Sequence, residues 1–351
     1  LWGNKTMKTF LEKNDIWALS ITITGKCNCN CSYCHFYASR DRQKYDINMC
    51  PELFDNYCKL IKHIKSTYHQ NLQVRFSGGE PLMLGDKLFQ YSQKLYDETG
   101  CSSYVLTNGR LLTKDIIEKS KTSHIEAFLV SIENPFDQSE GAPKTDEVLE
   151  KIKSLSCEEV QVLPAIMVVK NNSFNRLFDI ADYVYEQIHM LPSYSELTYH
   201  AFESPTPEEI LALYENVKKI AIKYYGKAAI RIFPYVSPEL YANNQKNYLS
   251  ELDLENSIGI TKDNIESVAE NMFKKLQLSY RPNPCQNTTC DWYEDCRIIK
   301  WLWLYTYDNP NMSISKKLKD FCNMKKAINT GLLEGIEINM EDRNVTNTKT
   351  E

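Results

Sequence analysis

Four cysteines lie within eight residues near the start of the chain, and this group constrains the fold more than any other feature. They are Cys27, Cys29, Cys31 and Cys34. An alternating run of apolar and polar residues from Trp17 to Thr24 precedes them and predicts a β-strand, which Gly25 ends. The thiols therefore follow the carboxyl end of a first strand, which is where α/β folds place their chemistry.

The spacing of three of these cysteines is typical of a metal-binding loop. Cys27, Cys31 and Cys34 follow the pattern C-x3-C-x2-C, with Tyr33 before the last thiol. Three thiolates can bind one iron–sulfur cube and leave one iron open. Zinc is the alternative, with Cys29 or His35 as its fourth ligand. Because alternate residues of an extended loop point in opposite directions, we expect Cys29 to face away from the cluster.

This loop, with an aromatic residue before its last cysteine, resembles that of the radical S-adenosylmethionine (SAM) superfamily. The resemblance implies that Cys27, Cys31 and Cys34 are the catalytic ligands of a [4Fe–4S] cluster and that Tyr33 lies beside the cofactor. It also implies that SAM chelates the open iron. Reductive cleavage of SAM would then give a 5′-deoxyadenosyl radical, which abstracts a hydrogen atom from the substrate.

A second motif follows the next predicted strand, Leu72 to Phe76. Its residues are Gly78, Gly79, Glu80 and Pro81. Two glycines at a strand end let the backbone approach a ligand closely, and a carboxylate there can accept hydrogen bonds from an ammonium group. Alone, the motif is also typical of a plain turn. In the radical SAM superfamily, the motif at this position holds the methionyl amino group of SAM.

Three later strand ends carry further features of the resemblance. Thr107, Asn108 and Gly109 follow the third predicted strand and resemble the same position in superfamily members that modify peptides and proteins. After the fourth strand, the resemblance implies that Ser131 and Glu133 contact the ribose of SAM. At the end of the fifth, it implies that Val168 packs on the adenine.

The chain alternates six predicted strands with helices, which indicates a parallel α/β sheet. With the cysteine loop on the first strand, the pattern resembles the partial (β/α)6 TIM-like barrel of the superfamily. We expect a lead-in at residues 1–15, the barrel at 16–236, a linker and helix at 237–282 and a small cysteine-bearing extension at 283–351. Residues 237–255 are interpreted as irregular, and residues from Met340 onward as frayed.

A second group of cysteines lies in the C-terminal extension. Its members are Cys285, Cys290, Cys296 and Cys322. Four thiols in this region favour one closed metal site. An auxiliary [4Fe–4S] cluster is the favoured occupant, because such clusters accept looser ligand spacing than zinc does. Zinc and plain buried thiols are the two alternatives. The location resembles the SPASM and shorter twitch extensions of peptide-modifying radical SAM enzymes, although the seven-cysteine SPASM pattern is absent.

Composition excludes several classes of function. The 351 residues carry a formal net charge of −5, so no basic field favours nucleic acid. The longest apolar run, Trp301–Tyr305, is too short to span a bilayer, and no secretory signal is present. The 12 cysteines cluster as metal ligands do rather than as a disulfide framework. These features predict a cytoplasmic protein without a membrane partner.

The resemblance to the radical SAM superfamily thus implies an iron–sulfur oxidoreductase that uses SAM and an external one-electron donor of the flavodoxin or ferredoxin type. The C-terminal thiols and Asn108 favour a peptide or protein substrate, modified by crosslinking, epimerisation or thioether formation. Residues 1–15 are too few for a recognition domain, so a separate partner would have to read any leader. A small-molecule or nucleotide substrate is the alternative within the superfamily. A non-catalytic metal-binding module is the alternative from another class.

Overall fold

Strands and helices alternate along the chain as the sequence predicts. The structure, a computed structural model, describes residues 16–31, 47–68, 71–138, 140–168, 171–195, 205–228, 230–232, 246–252, 260–270 and 314–347. The named strands are β1 (Ile16–Thr24), β2 (Asn71–Gly78), β3 (Ser103–Thr107), β4 (Ile125–Ile132), β5 (Gln161–Val168), β6 (Ser193–Ser195), β7 (Arg231–Ile232) and β8 (Lys246–Leu252). The named helices are α1 (Pro51–Tyr68), α2 (Asp86–Thr99), α3 (Lys114–Thr122), α4 (Thr145–Leu155), α5 (Leu177–Ile188), α6 (Pro207–Tyr224) and α7 (Ile314–Asn347).

The chain divides into two units. The first comprises Leu1–Ser131, Ser139–Leu163 and Ala242–Leu278, and the second comprises Ile132–Gln138, Pro164–Tyr241 and Ser279–Glu351. In the first unit, parallel strands follow the order β4-β3-β2-β1-β8. In the second unit, β5, β6 and β7 pair in parallel in that order. The described strands do not close a barrel, and this open parallel α/β arrangement confirms the predicted fold class.

The two faces of the first sheet differ in chemistry. On one face of β1, Leu19, Ile21 and Ile23 are fully buried. The same apolar layer contains Phe76 of β2, whose ring meets Phe54 of α1 edge-on at 6.0 Å between centroids. Because side chains alternate along a strand, the other face carries polar residues. There Arg75 Nε donates to Ser20 Oγ (3.3 Å), and Ser20 Oγ donates to Ser77 Oγ (3.2 Å).

Two expectations for irregular segments were wrong. Residues 246–252, interpreted as part of a linker, form strand β8 and pair in parallel with β1. This pairing satisfies backbone groups of β1 that an edge strand would leave exposed. The last residues were expected to fray from Met340, but α7 continues to Asn347. The predicted sixth strand at 197–202 lies outside the described residues, and β6 occupies Ser193–Ser195.

The second unit is held together by close packing of α7 on α6. A methyl group built on Gly335 would lie 2.5 Å from Lys218 O, and one on Gly331 would lie 2.7 Å from Tyr214 O. Glycine is therefore required at both positions for the two backbones to approach this closely. Lys218 Nζ also forms an ion pair with Glu334 of α7 at 2.7 Å. Among the helices that the structure describes, none is long and apolar enough to cross a membrane.

Candidate functional site

The cysteine loop begins directly after β1. The Cys29 N–H donates to Cys27 Sγ at 3.4 Å. Hydrogen bonds of the Cys29 thiol with those of Cys27 and Cys31, together with burial, raise the pKa of Cys29. Cys29 is 4% exposed. The chain bends at Asn28, and the expectation that Cys29 faces away from the cluster stays a prediction.

The donor set of this loop fits the cofactor that the sequence predicts. Thiolates are soft ligands that suit iron–sulfur clusters and zinc. Cys27 and Cys31 are both half-buried. Cys34 and Tyr33 lie outside the described residues. Within those residues, no three His, Cys, Asp or Glu side chains form a metal-binding group by themselves, so the predicted three-cysteine set stays a prediction.

Gly78, the last residue of β2, and Gly79, which follows it, bring the end of this strand against the backbone that leads into the cysteine loop. A methyl group on Gly78, whose φ is 138°, would lie 2.0 Å from Thr24 O, and one on Gly79 would lie 2.3 Å from Lys26 O. The Gly79 N–H donates to Thr24 O at 2.8 Å, and the Glu80 N–H donates to Lys26 O at 2.7 Å. No side chain fits at this junction, so the Gly-Gly pair fixes the start of the loop.

The Glu80 side chain is fully buried and binds the adjacent strand ends. Its carboxylate accepts hydrogen bonds from Leu82 N (3.0 Å), Thr107 Oγ1 (2.8 Å) and Asn108 N (2.8 Å). Burial raises the pKa of Glu80 to about 7, although the three donors act in the opposite direction. This carboxylate therefore joins the end of β2 to the loop after β3. Its contact with the SAM ammonium group stays a prediction.

The loop after β3 contacts the cysteine loop through two side chains. Asn108 Nδ2 donates to Asn28 Oδ1 (2.8 Å) and to Cys27 Sγ (3.8 Å). Arg110 Nη1 donates to Asn28 O at 3.3 Å. The sequence indicated Asn108 only as part of a family-like turn and did not indicate its contact with Cys27. The position of Asn108 at a parallel strand end, where the neighbouring strand carries the cysteines, is the signal that could have found it.

A further contact comes from the segment before α4, which sequence reasoning also missed. Gly141 has a φ of 79°, and a methyl group there would lie 2.3 Å from Asn30 O. The Asn30 N–H donates to Gly141 O at 3.4 Å. The cysteine loop is thus held from two sides, by Asn108 and Arg110 and by the Gly141 backbone.

The other predicted site residues fall into two groups. Ser131, at the end of β4, belongs to the first unit, whereas the buried Glu133 and Val168, the last residue of β5, belong to the second. Their contacts with ribose and adenine stay predictions. Of the C-terminal thiols, Cys322 lies half-buried on α7. Cys285, Cys290 and Cys296 lie outside the described residues.

The raised pKa of Glu80 predicts a pH-dependent stability. An unfolded glutamate ionises near its ordinary pKa of 4.5, whereas folded Glu80 holds its proton to about 7. The folded state is therefore favoured by protonation at low pH, and this advantage is lost as the pH rises through about 7. Relative to Glu80→Gln, the wild-type apoprotein should lose about 1 kcal/mol of unfolding free energy between about pH 6 and pH 8.

Urea denaturation across this pH range measures the difference. The exposed Glu147→Gln variant is the matched control and should follow the wild type at every pH. A difference between wild type and Glu80→Gln that stays constant with pH would contradict the assigned burial effect.

Part of the chain is similar in sequence to known proteins. Residues 21–184 match the sequence profile of the radical SAM superfamily. The radical SAM cyclopropyl synthase TigE of Paramaledivibacter caminithermalis is 33% identical over 131 residues, which are 34% of this chain and 28% of TigE. A probable GTP 3′,8-cyclase of Methanothermobacter marburgensis is 28% identical over 144 residues, which are 41% of this chain and 44% of the cyclase.

The chain therefore spans less than half the length of either relative. Among solved structures, native anSMEcpe with bound AdoMet is similar with a TM-score of 0.47 at 15% identity, over 62% of this chain and 64% of that one. The profile match includes the cysteine loop, the Gly-Gly-Glu-Pro segment and the strand ends described above. Residues 21–184, just under half of the chain, are therefore similar to the radical SAM superfamily.

Proposed function

We propose that the protein is a radical SAM enzyme that generates a 5′-deoxyadenosyl radical and abstracts hydrogen from a peptide or protein. The observation that carries this proposal is the junction of the two motifs. The Gly79 and Glu80 N–H groups donate to the backbone at Thr24 and Lys26, directly before Cys27. A thiol-bearing loop and the segment predicted to bind SAM therefore lie against each other at one edge of the sheet.

The chain's own residues would bind and orient the cofactors. Cys27, Cys31 and Cys34 would hold the [4Fe–4S] cluster, with Tyr33 beside it. When bound, this cluster supplies the electron for reductive cleavage of SAM. The segment Gly78–Glu80 would hold the methionyl end of SAM. Ser131 and Glu133 would contact its ribose, and Val168 its adenine.

The sheet would separate the substrate from water. The polar face that carries Ser20, Arg75 and Ser77 is the face on which a polar substrate could form hydrogen bonds. A site shielded from solvent confines a reactive radical to its intended substrate. An external donor of the flavodoxin or ferredoxin type would supply the electron.

A peptide or protein substrate is favoured by two features of the sequence. Thr107, Asn108 and Gly109 resemble the same strand end in peptide-modifying members. The C-terminal region 283–351 carries the second cysteine group, for which we propose an auxiliary [4Fe–4S] cluster bound by Cys285, Cys290, Cys296 and Cys322. Such a cluster would accept an electron or bind the substrate. Crosslinking, epimerisation and thioether formation are the reactions that this arrangement suits.

A nucleotide substrate is the second candidate. It is favoured by the GTP 3′,8-cyclases among the relatives. Incubation of the reduced enzyme with SAM and either GTP or a short peptide encoded beside its gene separates the candidates. Substrate-dependent deoxyadenosine formation should appear with the peptide; formation with GTP alone would favour the nucleotide.

The first prediction of this proposal concerns the middle cysteine of the loop. Cys31→Ala removes one of three ligands, so deoxyadenosine formation from SAM should fall to the background of the enzyme-free reaction. The assay is anaerobic, with dithionite as the reductant and chromatographic detection. Cys50→Ser, at an exposed thiol outside the loop, is the matched control and should keep wild-type turnover. Unchanged turnover in Cys31→Ala would refute the assignment.

The second prediction concerns the auxiliary cluster. Anaerobically purified wild type should contain about eight irons per chain for two cubes. Cys322→Ala should contain about four while still cleaving SAM, because only the C-terminal cluster loses a ligand. Cys157→Ala, at a half-buried thiol outside both groups, is the control and should keep the wild-type iron content. Equal iron in Cys322→Ala and wild type, or zinc in place of iron, would contradict the auxiliary cluster.

A further inference from the structure

The orientation of the Asn108 carboxamide is determined by its partners. Its Oδ1 accepts a hydrogen bond from the Arg110 N–H at 2.9 Å. Because a carboxamide has one acceptor end and one donor end, Nδ2 must then face the opposite side. On that side lie Asn28 Oδ1 at 2.8 Å and Cys27 Sγ at 3.8 Å, both of which are acceptors. The donor group of Asn108 is therefore directed at the first cysteine of the loop.

Hydrogen bonds also hold the backbone of residues 108–110 in place. Its own N–H donates to Glu80 Oε2 at 2.8 Å. The next N–H, that of Gly109, donates to Thr107 Oγ1 at 3.0 Å. Lys151 Nζ donates to the carbonyl oxygens of Gly109 (3.0 Å) and Arg110 (2.6 Å). A side chain on such a loop is positioned before any cofactor binds.

We propose that Asn108 is a positioning residue that donates an N–H···S hydrogen bond to Cys27 and thereby sets the reduction potential of the cluster. The inference rests on the proposed function, because it requires that Cys27 is a cluster ligand. Hydrogen bonds to the sulfurs of an iron–sulfur cluster are one of the protein's means of setting its potential. A donor stabilises the reduced form, which carries one more negative charge, and so raises the potential.

The contact gives Asn108 a role that a turn residue does not need. The turn itself requires only the backbone conformation of Asn108 and Gly109. The hydrogen bond from the Arg110 N–H to Asn108 Oδ1 is sufficient to stabilise that conformation. The Nδ2 group adds nothing to the turn itself. Its two acceptors both belong to the cysteine loop, so the carboxamide links the turn after β3 to the ligand-bearing loop.

The test is a redox titration of the anaerobically reconstituted full chain, monitored by EPR in the absence of SAM. Asn108→Ala removes the donor and should shift the potential of the N-terminal cluster to a more negative value. Asn28→Ala is the matched control, because it removes the 2.8 Å contact between the loops and retains the Asn108 donor facing Cys27. Its potential should stay at the wild-type value. SAM affinity, measured by calorimetry, should be unchanged in Asn108→Ala.

The outcomes separate this inference from the proposed function. An absence of cluster or of SAM cleavage in the wild type overturns both. A wild-type enzyme that cleaves SAM, with an Asn108→Ala cluster at the wild-type potential, overturns the inference alone, as does an equal shift in Asn28→Ala. If Asn108→Ala binds no cluster, the neutral and nearly isosteric Asn108→Leu variant, which lacks the donors, is titrated instead. Loss of cluster in both variants assigns Asn108 to loop folding and overturns the tuning role.

Discussion

The site depends on two backbone hydrogen bonds between the end of β2 and the start of the cysteine loop. They run from Gly79 N–H to Thr24 O and from Glu80 N–H to Lys26 O. A loop that lacks regular structure cannot hold thiols in register by itself, because each of its residues gains conformational entropy when it is released. The glycines make the approach possible, and the hydrogen bonds convert that approach into a fixed position for Cys27.

These bonds belong to a closed circuit around the loop. The Glu80 carboxylate, next to the end of β2, accepts a hydrogen bond from the Asn108 N–H after β3. The side chains of Asn108 and Arg110 donate hydrogen bonds to Asn28, and that of Asn108 also donates to Cys27 Sγ. Glu80 is buried at some electrostatic cost, which its raised pKa records. Buried carboxylates are as a rule hydrogen-bonded, as Glu80 is. Here these hydrogen bonds connect the end of β2 to the loop after β3.

Much of this arrangement could be predicted from the sequence, because its signals are local. The strand before Cys27 alternates with period two, the helices repeat every three to four residues, and the Gly-Gly-Glu-Pro segment ends the next strand. The carboxyl ends of parallel strands share one edge of a sheet, and at that edge the structure adds the hydrogen bond from the Gly79 N–H to Thr24 O.

The missed features all depend on non-local packing. The polar segment that forms β8 carries no strand signal of its own and is ordered by the edge of β1. In α7, Gly331 and Gly335 lower helix propensity locally, and only the close contact with α6 explains them.

The most direct test is EPR spectroscopy of the anaerobically reduced full chain before and after SAM is added. If three thiolates leave one iron open, reduced protein should give a [4Fe–4S] signal whose g values change when SAM binds that iron. Colourless protein that contains zinc, or a cluster signal that SAM leaves unaltered, would contradict the assignment of the cysteine loop.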